Sequence, residues 1–161
     1  MALTHLSELD VVDHDGSAAG LKLGGTLVTA TAASLSAVQK LSETVAFGAF
    51  TDGGGAVGTY DITAGTIPAG ATFLYAAVTA VTGFAGDVSA ALTIGDGTDV
   101  DRYNASTIDV FTTAANGVAA GAPSGVLYHN AAKTVKLTIT VNADWGSVTA
   151  GALTVELYYL T

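Results

Sequence analysis

The 161-residue sequence contains no cysteine and few basic residues. The missing thiols exclude disulfide frameworks and cysteine-ligated zinc or iron–sulfur sites. Five Lys and Arg residues stand against 14 Asp and Glu residues. The resulting formal net charge of −9 argues against a nucleic-acid-binding surface, because such surfaces neutralise phosphates with basic side chains. The remaining candidates are proteins that depend neither on thiol chemistry nor on a basic surface.

Long hydrophobic runs are also missing. The longest uncharged stretch lies between Asp61 and Asp87, and its continuous apolar part, Phe73 to Val81, is interrupted by Thr79. A bilayer-spanning helix needs about 20 apolar residues, so we expect no membrane segment and interpret this part as a strand buried on both faces. The N-terminus has neither the basic nor the apolar region of a secretory signal. We therefore expect a soluble protein that is made in the cytoplasm.

Small residues dominate what the sequence does contain. Ala, Gly and Thr supply 30, 20 and 23 residues, whereas charged residues make up 12% of the chain. Low Glu, Lys and Leu with abundant Gly and Thr argue against a helical bundle. The composition therefore predicts an all-β protein.

Residues 1–29 have a different character from the rest of the chain. Four acidic residues stand there against Lys22, and glycines at 16, 20, 24 and 25 interrupt every apolar pattern. Such a segment buries too little apolar surface to offset its chain entropy. We expect an extended N-terminal arm that becomes ordered against a neighbouring subunit or a partner surface.

Residues 30–44 form the single helix candidate of the sequence. Leu35, Val38 and Leu41 are spaced three apart and would share a helix face, while Thr29 or Thr31 would cap the N-terminus. A helix of under four turns is too short to be stable alone in water. Two interpretations stay open: a helix lying on its own domain, or a small helical collar between copies of the chain.

Residues 45–161 are predicted to form short strands separated by turns, beginning with a strand over 46–50. Apolar residues alternate with polar ones most clearly over Val135–Val141 and Ala152–Leu160. About eight such strands with turn signals between them predict a β-sandwich, and specifically a jelly roll.

An acid-rich loop is the most conspicuous candidate for chemistry. Asp96, Asp99 and Asp101 lie within six residues, and Arg102 follows them. Carboxylate oxygens are calcium ligands, but the spacing is not that of the helix–loop–helix calcium loop. Asp-Gly is first of all a turn signal, so we favour a solvated turn in which Arg102 pairs with a neighbouring Asp.

The histidines do not form a catalytic or metal-binding pattern. His14 lies between Asp13 and Asp15, but adjacent residues of an arm rarely converge on one ion. His129 has no nucleophilic cysteine to pair with, and the sequence lacks a Gly-x-Ser-x-Gly elbow. We therefore expect no enzyme activity, no metal and no cofactor.

Trp145 is the single tryptophan and lies between the last two predicted strands. With Tyr103, Tyr128 or Tyr158 it could stack on a sugar ring, as in a carbohydrate-binding module. The alternative, which we favour, is that Trp145 closes one end of the sandwich.

The segment Gly20-Leu21-Lys22-Leu23-Gly24-Gly25-Thr26-Leu27-Val28-Thr29-Ala30-Thr31-Ala32-Ala33-Ser34-Leu35 resembles an element of tailed-bacteriophage structural proteins. In those proteins the pattern Leu-Val-Thr-Ala-Thr-Ala-Ala-(Glu/Ser)-Leu leads from an arm or shaft through a short helix into a β domain. The C-terminal part is similar to phage head-decoration (cement or head-fibre) domains in three pieces. These are 81–87, 94–104, and Asp144-Trp145 with Thr149-Ala150-Gly151.

The resemblance implies a non-enzymatic virion protein. Such proteins have jelly-roll domains, are often trimeric, and bridge coat-protein subunits on the outer capsid surface. The implied partners are the major capsid protein and two further copies of this chain, with no nucleic acid and no membrane. We expect docking and assembly to use six apolar residues, namely Leu21, Leu23, Leu27, Leu35, Val38 and Leu41. A phage fibre module that binds a receptor or a carbohydrate is the alternative.

Overall fold

A computed structural model of the chain describes residues 22–23, 26–27, 38–111, 118–119 and 122–161. The chain divides into two compact units, residues 1–37 and 38–161. In the first unit, strands β1 (Lys22–Leu23) and β2 (Thr26–Leu27) pair in antiparallel fashion. No helix in the described ranges is long and apolar enough to span a membrane.

The second unit consists of strands that pair in two antiparallel sheets. Its strands are β3 (Val38–Ala46), β4 (Thr51–Asp52), β5 (Val57–Asp61), β6 (Thr72–Ala85), β7 (Ala90–Gly95), β8 (Ile108–Asp109), β9 (Val118–Ala119), β10 (Lys136–Val141) and β11 (Ala150–Leu160). One sheet has the order β3-β11-β6-β9, and the other has the order β4-β5-β10-β7-β8. Two single-turn 3₁₀ helices, Phe47–Ala49 and Trp145–Ser147, lie between strands.

The core lies between the two sheets and follows the alternation of the strands. In β10, Leu137, Ile139 and Val141 are buried, and the residues between them are more exposed. Leu153, Val155 and Leu157 of β11 are buried in the same way. Because these side chains repeat every two residues, each strand presents one apolar face to the opposing sheet. The predicted all-β sandwich is confirmed.

The strand order follows a regular scheme once the short edge strand β4 is set aside. The first strand of the unit, β3, lies beside the last, β11, and β11 lies beside the third, β6. In the other sheet the second strand, β5, lies beside the second-to-last, β10. With β4 left out, the first four strands therefore alternate between the two sheets, and so do the last four.

The helix predicted over residues 30–44 is wrong where the structure describes it. Residues 38–44 belong to β3, which pairs with β11 over its full length, and residues 30–37 lie outside the described residues. The inward face of β3 contains the polar Glu43 between Leu41 and Val45, so the sequence shows no uninterrupted apolar–polar alternation there. Glu43 is accommodated there because Tyr60 Oη donates to its Oε1 at 2.6 Å and the Thr63 backbone N–H donates to Oε2 at 2.7 Å. Strand pairing and this polar contact outweigh the local three-residue spacing.

Three further expectations need correction. The strand predicted over 46–50 contains the 3₁₀ turn Phe47–Ala49. The predicted domain start at residue 45 falls inside β3, so the sandwich begins at Val38. The strand predicted to be buried on both faces is β6, which buries Phe73, Ala76 and Val78 but leaves Tyr75 44% exposed.

Candidate interaction surface

One end of the outer face of the four-stranded sheet carries aromatic and aliphatic side chains. Val38, Leu160, Thr72 and Tyr128 are successive cross-strand partners, and cross-strand partners share a face. In the next row, Tyr158 pairs with Tyr75 on one side and with Lys40 on the other. We call six of these residues the tyrosine face: Val38, Thr72, Tyr75, Tyr128, Tyr158 and Leu160.

Tyr75 and Tyr158 form a stacked pair in the tyrosine face. Their ring centroids are 4.5 Å apart and their planes differ by 18°. The pairing of β11 with β6 shifts between Tyr158 and Tyr159, so that Leu74 is an extra residue in β6. A bulge of this kind re-aims the neighbouring side chain, and here it directs Tyr75 outward onto Tyr158.

The tyrosine face adjoins a self-compensating charge pair. Lys40 Nζ lies 3.1 Å from Glu156 Oε1, and Tyr158 Oη donates to Glu156 Oε2 at 2.7 Å. The hydrogen bond to Glu156 raises the pKa of Tyr158 to about 12, so its hydroxyl stays neutral at physiological pH. Lys40 and Glu156 are the charged residues among the outward positions of β3, β6 and β11. This sheet face therefore has no net charge.

Most of the remaining described acidic residues lie elsewhere on the second unit. Asp52, Asp61 and Asp109 belong to strands of the five-stranded sheet, and the other aspartates lie in loops. The described part of the chain thus combines an acidic surface with one neutral sheet face. Covering an uncharged face with another macromolecule costs less desolvation free energy than covering a charged one.

A connecting segment extends the apolar surface beside the start of β6. Residues 122–133, which we call the strap, include Val126, Leu127 and Tyr128, exposed by 68%, 39% and 58%. The Phe73 N–H donates to the Leu127 carbonyl at 2.9 Å, and the His129 N–H donates to the Ala71 carbonyl at 2.9 Å. The strap therefore holds Tyr128 at the edge of the tyrosine face by backbone hydrogen bonds to residues 71–73.

A buried ionic centre holds the strap against the loop that follows β7. The Asp96 side chain is fully buried, and its Oδ2 lies 2.9 Å from Arg102 Nε and 3.0 Å from Lys133 Nζ. Its Oδ1 accepts the backbone N–H groups of Thr98 and Asp99. Burial opposes ionisation of Asp96, but the contacts with Lys133, the backbone donors and Arg102 outweigh it and lower its pKa to about 2. Lys133 is a strap residue, so the ion pair ties the strap to the loop after β7.

Arg102 makes further contacts to the strap. Its carbonyl accepts the N–H groups of Ser124 and Gly125, at 3.2 and 3.3 Å. Its guanidinium donates to the Val126 carbonyl at 3.4 Å. A Cβ on Gly125 would lie 2.8 Å from Arg102 Cγ, so glycine permits this close approach.

His129 is the buried histidine of the strap. It is 2% exposed, and its Nε2 lies 3.4 Å from the Tyr103 hydroxyl, which is itself buried. Burial lowers the pKa of His129, and the charges of Arg102 and Lys133 lower it further, against a smaller opposite effect of Asp96. Burial also raises the pKa of Tyr103 well above its usual value. Both rings are therefore neutral parts of the core at physiological pH.

The structure assigns the acid-rich loop a structural role. Arg102 pairs with Asp96, as predicted, but the Asp96 carboxylate is buried and not solvated. Its Oδ2, an oxygen that a calcium ion would need, contacts two cationic side chains. Among the described residues, no group of three or more His, Asp or Glu side chains is placed to hold a metal. Asp13 and His14 lie outside the described residues.

Trp145 is not available for the predicted sugar stacking. It is 6% exposed, and its ring lies 5.4 Å from that of Phe50 and 6.3 Å from that of Phe84. Gly58 of β5 leaves room for the indole, since a Cβ there would overlap the ring. The sugar-stacking alternative required an exposed Trp145, whereas the observed burial agrees with the favoured interpretation that Trp145 closes one end of the sandwich.

Of the six predicted docking residues, the structure describes the side chains of Val38 and Leu41, which lie on opposite faces of β3. Val38 lies in the tyrosine face, 48% exposed, whereas Leu41 is 8% exposed and belongs to the core. Strand alternation points Leu41 into the core, away from the outer face that carries Val38. Leu23 and Leu27 lie in β1 and β2, and Leu21 and Leu35 lie outside the described residues.

Sequence reasoning missed Tyr75 and the role of Leu160. The alternation of β11 already placed Tyr158 and Leu160 opposite Leu157 and Tyr159, so a surface position for both was readable. The partner strands were not readable, because cross-strand pairing joins residues more than 80 positions apart.

Comparisons with known proteins gave one structural similarity for this chain. No protein-family model matches the chain, and no curated protein matches it. The chain is similar to a chain of a solved structure described as "Cyanophage Pam1 capsid asymmetric unit". The TM-score is 0.46, the sequence identity is 16%, and the similarity covers 76% of this chain and 84% of that one.

Proposed function

We propose that the protein is a structural component of a phage virion, a decoration or cement protein that binds the outer surface of the head. The observation that carries the proposal is the neutral tyrosine face on an otherwise acidic protein. Tyrosines supply large contact areas at low entropic cost and are enriched in interfaces. The resemblance of residues 20–35 to phage virion elements supports the same conclusion from the sequence.

The proposed mechanism is mechanical. Each copy adds buried area across a joint between major capsid protein subunits, and the tyrosine face supplies the anchoring contacts. Assembly as a homotrimer multiplies weak individual contacts, because the second and third contacts form at high effective concentration. The acidic remainder of the surface faces solvent and keeps the decorated particle soluble.

We also propose that the sandwich is a jelly roll. The order β3-β11-β6-β9 facing β5-β10-β7-β8 supports this, with β4 as an addition at the edge. Numbered along the chain from β3 with β4 left out, the sheets have the orders 1-8-3-6 and 2-7-4-5. This is the arrangement expected for eight strands wound as two Greek keys.

Binding to capsids from which the protein has been omitted tests the proposed function. Such heads from the phage that encodes this chain are mixed with purified protein, and the bound fraction is measured by co-sedimentation. The double variant Tyr75→Ser/Tyr158→Ser removes the stacked pair. We expect its apparent affinity to fall by about tenfold or more, as for the loss of central interface aromatics.

The matched control lies on the opposite sheet. Thr59 and Thr138 are cross-strand partners with outward positions in β5 and β10, so Thr59→Ala/Thr138→Ala changes two residues of the other outer face. This variant is expected to bind like the parent protein. Equal binding by the tyrosine variant and the parent, or no binding by either, contradicts the proposal. Binding to glycans in place of heads favours the fibre-type alternative.

A further inference from the structure

The strap combines an exposed apolar surface with a buried titratable ring. Val126, Leu127 and Tyr128 face outward, and the next residue, His129, is 2% exposed. The His129 N–H and carbonyl both make backbone hydrogen bonds, to Ala71 and Gly70 respectively. The position of the ring is therefore coupled to the position of Tyr128 at the edge of the tyrosine face.

The charges around His129 are arranged against a protonated ring. The charges of Arg102, in the loop after β7, and of Lys133, at the end of the strap, both act against protonation of the ring. Asp96 is the carboxylate that faces the ring from the same loop, and it is already shared by both cations. Asp99 lies 4.0 Å from Arg102, and Tyr103 supplies a neutral hydroxyl. A proton on His129 would place a third positive charge beside one buried carboxylate.

We propose that His129 is an acid-sensitive latch for the strap. Protonation of its ring expels it from the core, breaks the backbone hydrogen bonds that the strap makes to residues 70–73, and frees Val126, Leu127 and Tyr128. The role of this latch as a regulator of docking rests on the proposed function of the tyrosine face. The release of the strap itself does not, because it follows from the packing within one protomer.

The direction of the effect follows from the burial of the neutral ring. The folded state holds His129 with fewer protons than the unfolded chain, whose histidine titrates near pH 6.5. The contribution of the buried ring is therefore complete above about pH 6.5 and is lost as the pH falls below that value. Acidification to about pH 5 is expected to release residues 126–129 of the strap first, because the Asp96 carboxylate stays ionised until about pH 2 and keeps its contact with Lys133 at the end of the strap.

Amide hydrogen exchange of the full-length protein tests the latch. Protection factors, corrected for the intrinsic effect of pH, are measured at about pH 7.5 and about pH 5. The informative amides are those of Gly70, Phe73 and His129, and amides of β10 and β11 serve as references. We expect these amides to lose about tenfold in protection, because an unfolded-state histidine titrates near pH 6.5 and is protonated at about pH 5, while the reference amides keep theirs.

The variant His129→Asn separates the ring from other acid effects, because asparagine is neutral at both pH values. Its strap protection is expected to be independent of pH between these values, whatever its absolute level. If this variant does not fold, the parent protein still decides the question. Unchanged strap protection at about pH 5, or an equal loss in the references, overturns the latch. Failure of head binding at about pH 7.5 with an intact pH response overturns the proposed function and leaves the latch standing.

Discussion

Asp96 shows how one buried side chain organises the end of the sandwich. Its carboxylate joins the loop after β7 to the strap through Arg102 and Lys133. Removing one partner from a buried ion pair leaves the others uncompensated, and that loss exceeds what the pair itself contributes.

We expect Asp96→Asn to lower the free energy of unfolding by about 3 kcal/mol, because two cations lose their buried counter-ion. The matched control is Asp61→Asn, since Asp61 pairs with Lys136 at 2.7 Å but its side chain is 58% exposed. An exposed pair contributes about 0–1 kcal/mol, so the control should change little. Urea denaturation at neutral pH measures both, and equal effects of the two variants would contradict the account of the ionic centre.

The same residue predicts a response to strong acid. The pKa of Asp96 is about 2 in the folded protein and has a reference value of 3.8, so the folded state favours the ionised form. Its contribution to stability is complete above about pH 4 and is lost as the pH falls toward 2. A series of denaturation curves across this range should show a smaller pH-dependence in Asp96→Asn than in the parent protein. If the free energy of unfolding depended on pH to the same extent in both proteins, the stabilising role of the ionised Asp96 would be contradicted.

Gly58 predicts a second residue-scale effect, through packing. A Cβ at position 58 would overlap the Trp145 ring, whereas a Cβ at Gly48 has open space around it. We expect Gly58→Ala to lower the free energy of unfolding by about 2 kcal/mol through overpacking. Gly48→Ala should stay within about 0.5 kcal/mol of the parent. Thermal denaturation followed by Trp145 fluorescence reports both, and a neutral Gly58→Ala would show that the indole moves without cost.

At the scale of elements, β6 is shaped by its irregularities. Between Ala152 and Thr154 of β11 the register moves from Thr82 to Thr79, so β6 contains an extra residue there. Ala80 has a positive φ of 49°, which is typical of a bulge position normally given to glycine. The bend leaves Ala80 in a strained conformation, because the left-handed region brings Cβ too close to the following carbonyl oxygen.

We expect Ala80→Gly to raise the free energy of unfolding by about 0.5 kcal/mol, because glycine adopts a positive φ without this strain. The control is Ala77→Gly on the same strand, which pairs regularly with Glu156. Glycine at an extended position costs about 0.5–1 kcal/mol, so the control should destabilise the protein. Chemical denaturation distinguishes the two, and destabilisation by Ala80→Gly would contradict the bulge assignment.

The strands that could be predicted from the sequence are those with an uninterrupted two-residue pattern. β10 and β11 lie where the alternation of Leu137, Ile139, Leu153 and Val155 placed them. Residues 38–44 of β3 were predicted as part of a helix from the spacing of Leu35, Val38 and Leu41. The contacts that accommodate Glu43 come from Tyr60 of β5 and from Thr63 after it. Local patterns thus predicted elements with simple faces and failed where a tertiary contact satisfies a polar residue.

The candidate interaction surface was less predictable from the sequence than the strands, because it depends on long-range strand pairing. Tyr158 and Val38 were visible as sequence features, but the stack of Tyr158 on Tyr75 requires the register and bulge of β6. For Trp145 the sequence left two interpretations, sugar stacking and the favoured closure of one end of the sandwich, because an aromatic residue between strands can serve either role. Its burial is decided by the space that Gly58 leaves on another strand.

At the scale of the whole molecule, aromatic and acidic side chains are distributed unevenly over the surface. In the part of the chain that the structure describes, the aromatic side chains lie mainly in the core, in the tyrosine face and in the strap. Among the described residues, the acidic side chains lie away from the outer face of the four-stranded sheet, with the paired Glu156 as the exception. This division into a neutral aromatic face and an acidic remainder is the central claim about function.

The most direct test of that claim is a high-resolution reconstruction of the purified phage particle. The account predicts that the sandwich is found on the outside of the head, with Tyr75, Tyr128 and Tyr158 buried against the major capsid protein or a neighbouring copy. The five-stranded sheet with Asp61 and Asp109 should face solvent. A head that carries the sandwich with these tyrosines pointing into solvent, or a particle that lacks the protein, would contradict the account.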